Sequence, residues 1–116
     1  MTFICYPKCT TCQRAQKWLD AKNIIYDFRD IKLNNPSYDE LKAWHEKSGL
    51  PLRKFFNTSG LLYKSFGLKE KLESMSEAEQ LTLLSTDGML VKRPLLIGPK
   101  FVLVGFKETE WEGIIM

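Results

Sequence analysis

The alternation of apolar and polar positions at the start of the chain predicts a strand, a helix and a second strand. Residues 2–6 form a short apolar run, which Pro7 ends because proline has no amide hydrogen to give to a sheet. Apolar positions recur with helical spacing across residues 10–23, and residues 24–28 alternate as in a strand. Three such elements within about thirty residues predict a right-handed βαβ unit with parallel strands.

The middle of the chain, about residues 35–88, predicts a helical insertion. Ser37 and Glu40 have the spacing of a capping box, which marks the start of a helix. Further helical signals lie at residues 52–56, at residues 62–72, and after Ser74 and Ser76. This part of the chain is therefore expected to be mostly helical.

The last part of the chain predicts a hairpin and a closing helix. Apolar runs at residues 95–97 and 101–104 flank a short turn at residues 98–100, which indicates two antiparallel strands. Residues 108–115 have the spacing of a short helix. The order βαβ, helical insertion, ββα predicts an α/β fold with a mixed four-stranded sheet. A chain of 116 residues is the usual size of one domain, here expected to span residues 1–116.

The composition restricts the class of protein and the cellular location that we expect for this chain. With 44% hydrophobic and 27% charged residues it resembles an ordinary globular protein, and its apolar runs are too short to span a bilayer. The N-terminus lacks the pattern of a signal peptide, so we expect a cytoplasmic protein with no membrane association. The net charge of +3 is small and its lysines and arginines are scattered, so direct nucleic-acid binding is not expected.

The three cysteines carry the candidate chemistry. All lie within the first twelve residues, which does not suit a framework of disulfides between distant loops and favours redox chemistry or metal binding. Cys9 and Cys12 form a Cys-x-x-Cys motif, with Thr10 and Thr11 between them, at the predicted start of the first helix. The helix dipole and the adjacent Lys8 are expected to lower the pKa of the Cys9 thiol.

These positions predict a role for each cysteine. Cys9 is expected to be the nucleophile, and Cys12, one turn along the helix, is close enough to resolve a mixed disulfide on Cys9. The pair is therefore expected to form a reversible Cys9–Cys12 disulfide, while Cys5 points into the core and stays out of it.

A zinc site and a pair of core residues are weaker hypotheses for these cysteines. A zinc site needs four ligands, and beyond the pair the chain offers only Cys5 and His45, so no metal is expected. His45 itself lies in a polar stretch and is expected to be a solvated surface residue. The pair could also be two small core residues, but its polar surroundings, Pro-Lys-Cys-Thr-Thr, disfavour burial.

Two runs and the order of elements resemble the arsenate reductase (ArsC) family and its Spx-like relatives over essentially the whole chain. The runs are YPKCTTCQRA at residues 6–15 and KRPLL at residues 92–96. The resemblance implies a thioredoxin-like fold, a cis-proline at Pro94 beside the active cysteine, and Arg93 facing the thiolate. An arginine there lowers the pKa of a thiol and can hold an oxyanion through forked hydrogen bonds.

The chain also departs from the arsenate reductases of this family. Those enzymes have serine where this chain has Cys12, as the Spx-like proteins do, and they hold the oxyanion with three arginines. Arg93 matches one of the three, whereas Asn57 and Gly105 occupy the approximate positions of the others. Fewer guanidinium groups mean fewer charge-assisted hydrogen bonds to a divalent anion, which disfavours arsenate reduction.

Three functional hypotheses follow from the motif and the resemblance. The leading one is a thiol/disulfide oxidoreductase with no cofactor, served by a thiol reductant such as glutathione, glutaredoxin or thioredoxin. The second is an arsenate reductase that depends on glutathione or glutaredoxin. The third is a Spx-like redox-sensing transcription regulator that binds RNA polymerase. Spx-like regulators continue into a polar tail after the last family helix, whereas this sequence ends at Ile114, Ile115 and Met116, which disfavours the third hypothesis.

Overall fold

The computed structural model describes residues 1–115, and its centre is a four-stranded sheet in the order β2-β1-β3-β4. The strands are β1 (Thr2–Cys5), β2 (Asp27–Asp30), β3 (Leu95–Ile97) and β4 (Val102–Val104). β1 pairs with β2 in parallel, and β3 pairs with both β1 and β4 in antiparallel fashion. The predicted α/β fold with a mixed four-stranded sheet is confirmed.

Helices within the described residues surround this sheet. They are α1 (Thr10–Ala21), α2 (Tyr38–Ser48), α3 (Leu61–Ser65), α4 (Leu68–Lys71), α5 (Glu77–Thr86) and α6 (Glu108–Ile115). Short 3₁₀ turns lie at Leu52–Phe55, Leu72–Ser74 and Gly88–Leu90. The helical insertion lies between β2 and β3, close to the predicted residues 35–88. Within residues 1–115, no helix combines the length and the apolar character needed to cross a membrane.

Two predicted elements differ from the observed ones. The second strand is Asp27–Asp30 rather than residues 24–28, because its pairing with β1 begins at Asp27 and the side chain of Ile25 is exposed. The helix predicted for residues 62–72 is broken at Gly67, whose φ of 64° is in the left-handed region that glycine adopts without strain.

The capping boxes explain where the long insertion helices begin. Ser37 and Ser76 each accept a hydrogen bond from the backbone of a glutamate three residues later, and that glutamate reaches back to the serine backbone. The pattern at Ser74 does not start a helix, since its hydroxyl donates instead to the carbonyl of Lys71 at 2.9 Å.

The strands divide the core into two layers, because alternate residues face opposite sides of a sheet. Phe3 and Cys5 face α1 and α6, where they pack in a cluster with Trp18 and Trp111. Ile4 faces the helical insertion on the other side. Consequently the cysteines of β1 and α1 lie on the same side of the sheet.

An ion pair ties the insertion to the edge of the sheet. Arg29 on β2 donates from Nη1 and Nη2 to the two carboxylate oxygens of Glu40, at 2.6 and 2.9 Å. Glu40 also accepts a hydrogen bond from the Ser37 backbone at 3.0 Å, so one carboxylate serves both the ion pair and the cap of α2. These interactions, the hydrogen bond from Arg29 first among them, lower the pKa of Glu40 to about 2.

We expect Glu40→Gln to lower the free energy of unfolding at neutral pH by about 1 kcal/mol, a modest value because the pair is partly exposed and water screens it. Because the folded-state pKa of Glu40 is below its unfolded-state value of about 4.3, this stabilisation is complete above that value. It should disappear as the pH falls towards about 2.

Urea unfolding of both proteins at a series of pH values measures this effect. Glu79→Gln is the matched control, since it removes the corresponding glutamate from the capping box of α5. A stability difference for Glu40→Gln that stayed constant down to about pH 2 would contradict the assignment.

Candidate active site at the start of the first helix

A tight turn places Cys9 at the mouth of α1. After β1 ends at Cys5, the chain folds back so that the Cys9 amide donates to the carbonyl of Tyr6 at 3.0 Å. The Gln13 side chain donates to the carbonyl of Pro7 at 3.0 Å and secures the same turn from within the helix. Cys9 is the N-cap residue of α1, in extended conformation with φ −84° and ψ 125°.

The Cys9 sulfur is a free, half-buried thiol whose surroundings favour the thiolate. Burial alone would raise its pKa, but the backbone amides of Cys12 and Thr11 and the guanidinium of Arg93 outweigh that effect. The pKa of Cys9 is therefore lower than that of an ordinary cysteine. The attraction of these groups for a negative charge on the sulfur is what favours the thiolate.

Arg93 reaches the site from the segment just before β3. Ile4 pairs with Leu95, so the end of β1 lies beside the start of β3. The Arg93–Pro94 peptide is cis, as the family resemblance implies. The Arg93 guanidinium lies 5.5 Å from the centre of the Tyr6 ring, and its Nη1 donates to the carbonyl of Met89 at 3.4 Å. These contacts orient the arginine between the turn before α1 and the end of the insertion.

The other residues predicted around Cys9 lie in different environments. Thr11 lines a cavity with Cys9, and its backbone amide is one of the groups that favour the thiolate. Thr10 and Lys8 are exposed. Lys8 is not among the groups that lower the pKa of Cys9 in this structure, and the cation that does so is Arg93. Water screens the exposed lysine.

The disulfide joins Cys5 to Cys12, and not Cys9 to Cys12 as predicted. Cys5 does point into the core, but the expectation that it stays out of the disulfide is wrong. Cys5 ends β1 on the face that packs against α1, and Cys12 lies one turn into α1 facing the sheet, with 5.8 Å between their Cα atoms. Both residues are at most 2% exposed. Cys12 is therefore not in the polar surroundings that its sequence neighbours suggest.

A cavity of about 370 Å³ opens beside Cys9. Its walls include residues 59–62 and the side chains of Cys9, Thr11, Asn57, Met89, Lys92 and Arg93. Asn57, which the sequence places near one of the family's arginines, is thus part of the site. The cavity combines a reactive sulfur, two cations and several apolar side chains.

Lys92 is a cavity residue that the sequence analysis missed. A side-chain carbon added at Gly105 would lie 3.4 Å from the Lys92 Cε atom, at ordinary contact distance, so the lysine side chain runs past this glycine. Gly105 also has a φ of 77°, which favours glycine at this position. The signal in the sequence is the position of this lysine directly before Arg93.

His45 belongs to the helical insertion and is not part of the lining of the Cys9 cavity. Across residues 1–115, no three His, Cys, Asp or Glu side chains are grouped so that they could hold a metal ion. His45 is on α2, 17% exposed, and packs edge-on against Phe55 with 6.0 Å between ring centres. The expectation of a solvated surface histidine is therefore wrong, because His45 is largely covered by the insertion.

Comparison with known proteins identifies the family to which this chain belongs. The model of the ArsC family matches residues 5–114. The chain is 54% identical to YusI of Bacillus subtilis (strain 168), over 97% of this chain and 95% of that protein. It is 29% identical to the regulatory protein MgsR of the same organism, over 95% of this chain and 86% of MgsR. Global transcriptional regulators named Spx match more distantly, for example that of Streptococcus mutans at 24% identity.

Solved structures agree with this assignment. An ArsC family related protein from Bacteroides fragilis superposes with a TM-score of 0.95 at 56% identity, covering 97% of this chain and 94% of that one. A possible arsenate reductase from Streptococcus mutans UA159 superposes with a TM-score of 0.87 at 46% identity, covering 96% of both chains. The fold is thus the thioredoxin-like fold of the ArsC proteins. This chain belongs to the ArsC family and has Spx and MgsR among its relatives.

We expect Arg93→Ala to raise the pKa of Cys9, because the hydrogen bond and positive charge of the guanidinium favour the thiolate. Lys92→Ala is the matched control, since this lysine lines the same cavity but is not one of the groups that lower the pKa of Cys9. Its effect should be smaller.

A pH titration of the ultraviolet absorbance of the thiolate measures both variants. The Cys5–Cys12 disulfide is kept intact, so that Cys9 is the cysteine that titrates. An unchanged midpoint in Arg93→Ala, or equal shifts in the two variants, would remove Arg93 from this role.

Proposed function

We propose that this ArsC-family protein is a thiol/disulfide oxidoreductase in which Cys9 is the attacking thiolate. The observation that carries the proposal is the free Cys9 sulfur at the start of α1, with its pKa lowered, next to the disulfide-bonded Cys5 and Cys12. In this proposal residues 1–116 act as one domain. The protein works in the cytoplasm, where thiol reductants are abundant.

The reaction begins on the reduced protein. The Cys9 thiolate attacks one sulfur of a substrate disulfide, forms a mixed disulfide and releases the other half as a thiolate. Cys12, one turn further along α1, attacks the Cys9 sulfur and releases the second half. The substrate gains two electrons and the protein gains one disulfide. A thiol reductant such as glutathione, glutaredoxin or thioredoxin then returns the protein to its reduced form.

The cavity beside Cys9 favours a small thiol or disulfide that carries anionic groups. Its volume is at the lower end of the range for small-molecule sites. Lys92 and Arg93 supply positive charge, Asn57 can donate or accept hydrogen bonds, and Leu62 and Met89 provide apolar contact. This arrangement would hold a charged thiol with its sulfur next to Cys9.

Arsenate reduction is the second candidate, favoured by the two cations in the Cys9 cavity. The similar structure from Streptococcus mutans is that of a possible arsenate reductase. However, Asn57 is neutral and Lys92 cannot form the forked hydrogen bonds of an arginine, so the hold on a divalent oxyanion would be weaker. Consumption of arsenate in the presence of glutathione and glutaredoxin, lost in Cys9→Ala, would support this candidate.

A regulatory role is favoured by the relatives named as regulators, MgsR and Spx. In such a role the cysteines would act as a redox sensor and RNA polymerase would be the partner. Retention of purified RNA polymerase on the immobilised protein, in its oxidised but not its reduced form, would support this role. Equal retention by both forms would exclude a redox-dependent interaction.

The oxidoreductase proposal predicts a stable mixed disulfide when the resolving cysteine is removed. Reduced Cys12→Ala, treated with bis(2-hydroxyethyl) disulfide, should keep one hydroxyethylthio group on Cys9, because no Cys12 thiol can displace it. Mass spectrometry of the intact protein and its peptides measures the adduct. Cys9→Ala is the matched control and should form none at neutral pH over the same time. Absence of the adduct from Cys12→Ala would refute the proposal.

A further inference from the structure

The disulfide between Cys5 and Cys12 pairs a cysteine of the Cys-x-x-Cys motif with one that lies outside it. We propose that Cys5 is a third redox cysteine, which attacks Cys12 in a transient Cys9–Cys12 disulfide, takes over that bond and returns Cys9 as a free thiolate. This inference rests on the proposed thiol/disulfide exchange at Cys9 and adds the place where the oxidation is finally stored.

The geometry makes Cys12 the shared partner of the other two cysteines. On one side, the backbone amide of Cys12 is one of the groups that act on the Cys9 sulfur, at the spacing of a Cys-x-x-Cys pair. On the other side, the Cα atom of Cys12 is 5.8 Å from that of Cys5, which is a usual separation for a disulfide. The Tyr6 amide donates to the Cys12 sulfur at 3.4 Å and holds it between the two.

Burial and charge decide which pairing is preferred. Cys5 is 1% exposed, in an apolar cluster with Phe3 and Leu96, where a thiolate is disfavoured. Cys9 is half-buried, and the amides of α1 together with Arg93 stabilise its negative charge. An exchange that releases the better stabilised thiolate is favoured, so the disulfide should come to rest on Cys5 and Cys12.

The full sequence of steps balances in atoms and electrons. Cys9 attacks the substrate disulfide and releases one thiolate; Cys12 attacks Cys9 and releases the other. Cys5, on losing its proton, attacks the Cys12 sulfur, so that the Cys9–Cys12 bond breaks and the Cys5–Cys12 bond forms. The two electrons that the protein has lost by then are the two that the substrate has gained. The last step is an internal exchange that changes only the pairing.

This exchange leaves the oxidised protein with a reactive sulfur at its surface. With Cys5 and Cys12 joined inside the core, Cys9 keeps its place in the cavity with Lys92 and Arg93. An oxidised molecule can then form a new mixed disulfide at Cys9. A protein limited to a Cys9–Cys12 disulfide would lose its nucleophile on oxidation.

The sequence allows a direct test, because trypsin cleaves after Lys8 and Arg14 and separates Cys5 from the other two cysteines. Reduced wild-type protein is treated with bis(2-hydroxyethyl) disulfide, quenched with acid at increasing times, alkylated with N-ethylmaleimide and digested. A Cys9–Cys12 bond lies within the peptide of residues 9–14. A Cys5–Cys12 bond joins that peptide to residues 1–8, with the maleimide on Cys9.

We expect the bond within residues 9–14 to appear first and the linked peptides, alkylated on Cys9, to replace it. In Cys5→Ala the reaction should stop at the Cys9–Cys12 bond, with loss of Cys9 alkylation. In Cys9→Ala the linked peptides should form on the order of tenfold more slowly or not at all. The wild-type time course uses the unaltered chain, so it decides the matter even where a variant does not fold.

An end product in the wild type with Cys9 joined to Cys12 and Cys5 alkylated would overturn the inference. Linked peptides forming as fast in Cys9→Ala as in the wild type would also overturn it, because Cys5 and Cys12 would then react without Cys9. The first outcome leaves the proposed function intact as long as Cys12→Ala still forms its adduct on Cys9, whereas the second would also remove Cys9 as the required attacking thiolate. Failure of that adduct would instead refute the proposed function.

Discussion

A sulfur placed at the exposed amides of a helix start is the interaction on which the rest of this site depends. The turn between β1 and α1 fixes Cys9 as the N-cap residue, and the amides of Cys12 and Thr11 then favour its negative charge. Without this position, burial would raise the pKa of the thiol and the sulfur would be a poor nucleophile at neutral pH. Arg93 adds to an effect that the backbone already provides.

The sheet brings the other groups to that sulfur from separate parts of the chain. β3 lies next to β1, which carries Arg93 to the turn before α1, and the insertion supplies Asn57 and Met89 to the cavity. The alternation of β1 sends Cys5 to the side of the sheet that packs against α1. β1 therefore has two effects on the site. It ends in the turn that leaves Cys9 accessible, and it supplies Cys5, the disulfide partner of the buried Cys12.

Local patterns predicted most of the fold, because capping boxes, the apolar runs and the turn between β3 and β4 are encoded by neighbouring residues. The position of Cys9 was predictable for the same reason. The partner of Cys12 was not, since it depends on how α1 packs across the sheet and not on spacing along the chain. Lys92 was missed because its place in the cavity depends on how segments distant in sequence, those of Cys9 and Asn57 among them, come together in the fold.

The helix start and Arg93 keep Cys9 reactive while Cys5 and Cys12 are joined. The most direct test is the rate of Cys9 alkylation as a function of pH in the oxidised wild-type protein, followed by the mass of the peptide of residues 9–14 after reduction and digestion. The predicted midpoint is below that of a free cysteine in a short peptide, alkylated under the same conditions. A midpoint at or above that value, or a Cys9 that cannot be alkylated in the oxidised protein, would contradict the claim.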